Sequence, residues 1–142
     1  MADDGEPGGP GDIRTDAREQ SIMLLYEAEQ RDVSPMDLFA GRTVASAELT
    51  RMLVGGVERL RPSIDAHIVD NARGWVLERM PALDRAVLRL AIFELMERGD
   101  VPTAVVIDEA VELAKRFSTD DSSRFVNGVL AAVARQVRST DA

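Results

Sequence analysis

Hydrophobic side chains recur every three or four residues from residue 13 onward, and no stretch long enough to form a strand alternates with a period of two. The pattern predicts an all-α fold of about seven helices, arranged as two small three-helix bundles that pack together around a central helix. The helices are expected at about 16–30, 35–41, 46–60, 64–74, 81–98, 103–117 and 121–137.

The fifth of these segments has the widest hydrophobic face. Leu83, Val87 and Leu90 follow one another at helical intervals, and Leu88 and Ile92 widen the stripe. A helix with apolar side chains around so much of its circumference is buried on more than one side. We therefore expect this segment to be the central helix.

Two of the helix starts carry capping signals. Asp16 and Glu19 have the spacing of a capping box at the beginning of the first helix. Ser34 followed by Pro35 predicts a short second helix that ends at Gly41. A serine oxygen accepts hydrogen bonds from the free N–H groups of a first turn, and proline fits the first helical position.

Glycine and proline interrupt the helical pattern at three places. Gly55 and Gly56 cost about 1 kcal/mol each relative to alanine, which indicates either a close helix contact or a kink. Pro62 predicts a break or bend before the fourth helix. In the last helix, Asn127 predicts a buried or interfacial hydrogen bond and Gly128 predicts a close backbone approach.

Composition divides the chain into a body and two ends. The 142 residues have a formal net charge of −8, and residues 1–12 contain four acidic and no basic side chains. This glycine- and proline-rich segment is expected to be a disordered acidic tail, with 13–138 a single helical domain and 139–142 a flexible C-terminus. No signal peptide or membrane span is indicated, which favours a soluble, cytoplasmic protein.

The reactive side chains argue against catalysis and metal binding. The chain has no cysteine and a single histidine, His67, which removes thiolate chemistry and most histidine-based sites. Ser63 and Asp70 share a helix face with His67, but side chains on one face do not converge on a single reacting atom. Asp120 and Asp121 lack the alternating acids and the glycine of a calcium loop. We therefore expect no enzyme, no metal and no cofactor.

Arginine and tryptophan are the residues whose role the pattern leaves open. Of the 17 basic residues 16 are arginine, which suits phosphate recognition but is equally produced by a GC-rich genome. Arg14 and Arg18 lie near the start of the first helix, where the helix dipole disfavours cations, so they are candidates for nucleic-acid binding despite the overall acidity. Trp75, the only tryptophan, fits a packing wedge between the two halves better than a ligand platform.

Short motifs follow one another along the chain in a characteristic order and spacing: Ala17-Arg18-Glu19, Leu24-Leu25-Tyr26-Glu27, Trp75, Glu78-Arg79-Met80, Leu83-Asp84-Arg85-Ala86-Val87-Leu88-Arg89, Phe93-Glu94-Leu95, Asp100-Val101-Pro102, Glu109-Ala110-Val111-Glu112-Leu113-Ala114-Lys115 and Phe125-Val126-Asn127-Gly128-Val129-Leu130. Together they resemble the NusB family of bacterial transcription antitermination factors. The resemblance covers about residues 13–138 and is most specific in the second half.

The resemblance implies a fold of two three-helix bundles and no enzymatic activity. NusB-like proteins bind the boxA element of ribosomal RNA leader transcripts as a heterodimer with NusE, a small-subunit ribosomal protein. That complex helps RNA polymerase read through terminators. The family's RNA-binding positions correspond to Arg14, Arg18, Tyr26, Asp121 and Phe125 of this chain. Two further positions, Asp84 and Arg89, correspond to sites that bind the protein partner.

The chain departs from the family pattern at the start of the first helix. Thr15 and Asp16 interrupt what is a dense run of arginines in many members, and an acidic tail precedes them. Each phosphate contact adds to affinity and to its salt dependence, so fewer contacts weaken both. We expect weak RNA binding by this chain alone and stronger binding with a basic NusE partner.

Two other interpretations share this fold. One is the N-terminal domain of ribosomal RNA cytosine methyltransferases, which is disfavoured because the sequence contains neither a cofactor-binding domain nor a catalytic cysteine. The other is a helical protein-interaction module that has lost autonomous RNA binding, for example as a homodimer that buries its arginines.

Overall fold

The computed structural model describes residues 12–44 and 46–138, and this part of the chain forms six α-helices. They are α1 (Ile13–Arg31), α2 (Pro35–Ala40), α3 (Ala47–Asn71), α4 (Ala82–Glu97), α5 (Thr103–Phe117) and α6 (Asp120–Val137), with a short 3-10 turn at Leu77–Arg79. The described residues contain no strand, which confirms the all-α prediction. The predicted terminal segments, apart from Asp12, lie outside the described residues.

The helices form two groups of three that share one main core. α1, α2 and α3 contact one another, as do α4, α5 and α6, and α4 joins the groups by packing on both α1 and α3. Because neighbours surround α4, every residue from 84 to 95 is buried. The predicted pair of bundles around a central helix is confirmed.

α1 begins earlier than its predicted capping box. Asp12 is the N-cap, and its carboxylate accepts hydrogen bonds from the backbone N–H groups of Arg14 at 2.8 Å and Thr15 at 3.4 Å. The prediction of a cap at Asp16 is therefore wrong, and Asp12, placed in the predicted tail, caps the helix. Asp12 already satisfies N–H groups that are free at the start of a helix.

The ends of α2 agree with their local signals. The hydroxyl oxygen of Ser34 accepts hydrogen bonds from two N–H groups of the first turn, and the helix ends at Gly41. Phe39 then packs with Leu24 of α1 and Val54 of α3 in a small second hydrophobic cluster. The short helix thereby closes the first group of three.

α3 runs without interruption through Pro62, so the two helices predicted at 46–60 and 64–74 are one. Proline removes a backbone hydrogen bond and costs about 3 kcal/mol inside a helix. Here Pro62 is exposed, while Val57 before it and Ile64 after it are buried in the same core. The shared core on both sides of the proline overrides its local preference.

Two glycines inside helices have opposite surroundings. A Cβ at Gly56 would lie 2.2 Å from Cε1 of Phe93, which confirms the predicted close contact between helices. A Cβ at Gly128 would meet no atom within 4 Å, so the predicted close approach is wrong within this chain. Asn127 is exposed, which contradicts a buried hydrogen bond and leaves only an interfacial one.

Candidate nucleic-acid interface

Arg18, predicted as an RNA contact, lies in the interior between α1, α4 and α5. It is 3% exposed, and its guanidinium donates hydrogen bonds to both carboxylate oxygens of Glu94, at 2.8 and 2.9 Å, and to Oε1 of Glu109 at 3.3 Å. We call these three residues the buried ion cluster. Burial disfavours the charged guanidinium, but the two carboxylates more than offset it and raise the pKa of Arg18. Two acids distant in sequence thus hold Arg18 away from any surface that RNA could reach.

Arg14 differs from Arg18 although both belong to the start of α1. Its side chain is 24% exposed, and its Nε and Nη2 donate hydrogen bonds to the Asp12 carboxylate at 3.2 and 3.1 Å. Hydrogen bonding to this guanidinium lowers the pKa of Asp12 to about 2. Arg14 is therefore the one of these two arginines that reaches solvent, and Asp12 already neutralises part of its charge.

Asp84, predicted to bind a partner protein, is buried in the first turn of α4. It is 3% exposed, and its Oδ2 accepts a hydrogen bond from the Ser122 hydroxyl at 3.0 Å. Its Oδ1 has no hydrogen-bond partner among the described residues. Burial raises the pKa of this carboxyl. Asp84 therefore holds the start of α6 against the start of α4 and does not present itself to a partner.

Arg89, the second predicted partner residue, is also buried. It donates hydrogen bonds to Asp65 of α3 at 2.8 and 3.1 Å and to Glu29 of α1 at 3.1 Å. Arg85, one turn earlier on α4, donates to the same Glu29 and to two backbone carbonyls of the 77–80 turn. The hydrogen bond from Arg85 lowers the pKa of Glu29. These arginines join three elements to α4, so Arg89 could influence a partner only through them.

Three predicted RNA residues lie on helix ends that pack against the first turns of α4. Asp121 and Phe125 lie one turn apart at the start of α6, which Asp84 holds against α4. Tyr26 lies toward the end of α1, which Arg85 holds against the same part of α4. Asp121 is exposed, and both aromatic side chains are half-buried. The fold therefore brings the helix ends that carry these three residues to the N-terminal part of α4.

Trp75 packs beside Phe125 and is more exposed than the predicted packing wedge would be. Its ring centroid lies 5.1 Å from that of Phe125, with the ring planes inclined by 50°, and 49% of the residue is exposed. The predicted role as a packing wedge applies only to the part of the indole ring that packs against Phe125. Its position next to arginine and glycine in a connecting segment is the sequence signal that could have indicated its exposure. We call Tyr26, Trp75, Asp121 and Phe125 the aromatic end.

The residues considered for a catalytic triad lie on a single helix. Ser63, His67 and Asp70 all lie on α3, the first and last exposed and the histidine half-buried. No group of three or more histidine, aspartate or glutamate side chains among the described residues could hold a metal ion. Within the same residues, no helix is long and apolar enough to cross a membrane.

Comparison with known proteins shows which family this chain is similar to. The NusB family matches residues 15–135, which include the buried ion cluster and the aromatic end. The transcription antitermination protein NusB of Saccharopolyspora erythraea is 51% identical over 137 residues, covering 89% of this chain and 92% of that protein.

Solved structures share the fold. T. maritima NusB superposes with a TM-score of 0.80 at 33% identity, covering 88% of this chain and 92% of that one. A chain in the crystal structure of antitermination factors NusB and NusE in complex with double-stranded RNA superposes with a TM-score of 0.78 at 26% identity, covering 87% and 97%. From its sequence match and its two three-helix groups, the chain belongs to the NusB family.

Proposed function

We propose that this protein is a transcription antitermination factor that binds boxA-type RNA as a heterodimer with NusE, in the cytoplasm and within an RNA polymerase antitermination complex. The observation that carries this proposal is the 51% identity over 92% of the length of a relative named transcription antitermination protein. A related chain occurs in a complex with NusE and RNA, which supports both proposed partners. The proposed activity is binding, with no catalytic step.

The proposed RNA surface consists of the aromatic end and Arg14. Arg14 lies twelve residues before Tyr26 on α1, a separation of about 18 Å along the helix axis. Such a surface offers rings for base stacking at one end and a guanidinium for a phosphate at the other. Arg18, Asp84 and Arg89 support this surface from inside, by fixing the helices that carry it.

Ion pairs on the surface support the expectation that this protein binds RNA only weakly without a partner. Glu27 accepts hydrogen bonds from Arg31 at 2.8 Å and from Arg42 at 2.6 Å, and Arg124 is paired with Asp121. A carboxylate that already neutralises an arginine weakens the attraction of that arginine for a phosphate. Together with a net charge of −8, these pairs favour a function in which a basic partner supplies most of the phosphate contacts.

The proposal is tested by fluorescence anisotropy of a labelled boxA-type RNA, titrated with this protein, with NusE, and with both. We expect weak binding by either protein alone and much tighter binding by the pair. An RNA affinity of the pair no greater than that of NusE alone would contradict the proposal. Equal affinity of this protein with and without NusE would contradict the dependence on a partner.

A single substitution tests the contribution of α1. Arg14→Ala should weaken RNA binding by the pair and make the slope of log affinity against log salt shallower by about 0.7, the value for one phosphate contact on a single strand. Arg59→Ala is the control, because Arg59 is an exposed arginine on α3 outside the proposed surface. Arg18→Glu is unsuitable, since it would place a third acid beside Glu94 and Glu109.

A further inference from the structure

Trp75 exposes a large amount of aromatic surface for a residue that packs against another aromatic ring. It is 49% exposed although it carries the largest side chain in the protein. A tryptophan that acted only as a wedge would gain most of its stabilisation from burial, and half of that is absent here. The exposed part of the indole is therefore available for an external contact.

Phe125 gives this exposed ring a fixed neighbour. The centroids of the two rings are 5.1 Å apart, and the planes are tilted by 50°. Phe125 is itself half-buried against the main core. The pair therefore presents aromatic surface that is anchored on its inner side, in a separation range that is favourable for aromatic contacts.

The backbone on both sides of Trp75 is held in place. Gly74 has a positive φ of 78°, a conformation that suits glycine, and the N–H of Trp75 donates a hydrogen bond to the carbonyl of Ala72 at 3.0 Å. On the other side, the Arg85 guanidinium donates hydrogen bonds to two carbonyls of the 77–80 turn. A ligand that stacks on Trp75 would therefore meet a preorganised surface and would lose little affinity to ordering it.

Charged side chains accompany this aromatic pair. Arg73, Glu78 and Arg79 are exposed in the same connecting segment, and Asp121 and Arg124, which pair with each other, are exposed at the start of α6. The centre of a protein–protein interface is depleted in charged residues. A small aromatic surface among charges instead matches a nucleotide, whose base stacks on rings and whose phosphate attracts guanidinium groups.

We propose that Trp75 and Phe125 together form a stacking platform for one unpaired RNA base, with Trp75 as the exposed contact. This inference rests on the proposed RNA-binding function and specifies which chemical group of the RNA is recognised there. The platform would accept different bases, because every base has a π face.

The single tryptophan makes the experiment specific to this site. The full chain with NusE is titrated with an unlabelled single-stranded boxA-type RNA while intrinsic tryptophan fluorescence is recorded, and with the same RNA annealed to its complement. Should NusE contain tryptophan, those residues are replaced by phenylalanine in NusE. We expect the single strand to quench the emission of Trp75 in parallel with binding measured by anisotropy, and the duplex to quench it much less.

Variants test the same platform without a fluorescence readout. Trp75→Ala should weaken binding of the single-stranded RNA by about 10- to 100-fold, the range of losing one stacked base, and Trp75→Phe should restore most of it. Val76→Ala is the matched control, because Val76 is 51% exposed and adjacent in sequence. Thermal unfolding followed by circular dichroism establishes that each variant is folded.

Four results would overturn the inference. Saturating RNA that leaves the emission of Trp75 unchanged would show that no base stacks there, and so would unchanged affinity in a folded Trp75→Ala variant. Quenching by NusE alone, with no further change on adding RNA, would assign the ring to the protein interface. Absence of any RNA binding by the pair would overturn the proposed function as well, whereas binding without quenching would overturn only the platform.

Discussion

The two ends of α4 differ in how buried acidic side chains are neutralised. Toward its C-terminus, Glu94 and Glu109 share Arg18, and Arg98 donates a further hydrogen bond to Glu94 at 3.0 Å. Toward its N-terminus, the carboxylate of Asp84 accepts a hydrogen bond from a hydroxyl group and pairs with no cation among the described residues. The buried acids at the C-terminal end are therefore saturated with opposite charges, whereas the buried carboxylate of Asp84 has a hydroxyl donor and no cation.

The two ends of α4 also differ in the part of the molecule that covers them. The buried ion cluster is enclosed by α1, α4 and α5, whereas Asp84 lies beneath the aromatic end. Natural proteins commonly break a local stability rule at a functional site and compensate for it elsewhere. We infer that the saturated end stabilises the fold, while the end near the proposed RNA surface retains a destabilising group.

The largest expected effect is at the saturated end. Arg18→Ala should lower the free energy of unfolding by about 3–5 kcal/mol, because it leaves the buried Glu109 without a cation and Glu94 with only Arg98. Arg14→Ala, one turn earlier, should cost less than about 1 kcal/mol, since its ion pair is partly exposed. Urea unfolding followed by circular dichroism measures both. Equal losses in the two variants would contradict the distinction between a buried and a surface arginine.

A second expected effect concerns the C-terminus of α4. The Arg138 guanidinium donates hydrogen bonds to four backbone carbonyls at 2.7–3.0 Å, those of Glu94, Leu95, Arg98 and Val101. Arg138→Ala should cost about 2–3 kcal/mol, because carbonyls at a helix end lose a charged donor. Arg135→Ala, an exposed arginine in the last turn of α6, is the control and should stay within about 0.5 kcal/mol. An unchanged free energy of unfolding in Arg138→Ala would show that water replaces the guanidinium as the donor to these carbonyls.

At the other end of α4 the expected effect has the opposite sign. Asp84→Asn should increase the free energy of unfolding at pH 7 by about 0.5–2 kcal/mol, the usual gain from relieving such a compromise. The asparagine oxygen can still accept the hydrogen bond from Ser122, and burying the unpaired amide N–H groups costs less than burying a charge. Destabilisation as large as that of Arg18→Ala would contradict the comparison between the two ends.

The pH dependence of that gain has a definite direction. Burial raises the pKa of Asp84 above its ordinary value of 3.8, so the carboxyl destabilises the folded state increasingly as pH rises through the raised pKa. Below the ordinary value the carboxyl is protonated in both states, and the penalty disappears. The advantage of Asp84→Asn should therefore be present at neutral pH and shrink on acidification, as urea unfolding at several pH values would show.

The smallest expected effect tests the surface of α6. Gly128→Ala should raise the free energy of unfolding by up to about 1 kcal/mol, because a Cβ there meets nothing and alanine favours the helix. RNA and NusE binding should not change if Gly128 serves no close contact. Loss of binding in a more stable variant would instead assign the close approach predicted for this glycine to a partner.

The predictions that succeeded rest on interactions between residues near one another in the chain. Ser34 and Gly41 mark the ends of α2, and the wide hydrophobic stripe identified α4 as the central helix. The close contact at Gly56 also followed from local reasoning, since a glycine in a helix is costly unless packing requires it. These signals depend on helix periodicity and capping, which the amino-acid sequence contains directly.

The sequence by itself thus determined an all-α fold, its central helix and its family. Only the tertiary structure decided that α3 continues through Pro62, that Arg18 is internal and that Trp75 lies on Phe125. Arg18 is bonded to acids 76 and 91 residues away, and no local pattern reports such partners. An arginine near a helix start gives the same sequence pattern whether it binds a phosphate at the surface or a buried carboxylate. Its role depends on which residues pack against it in the folded protein.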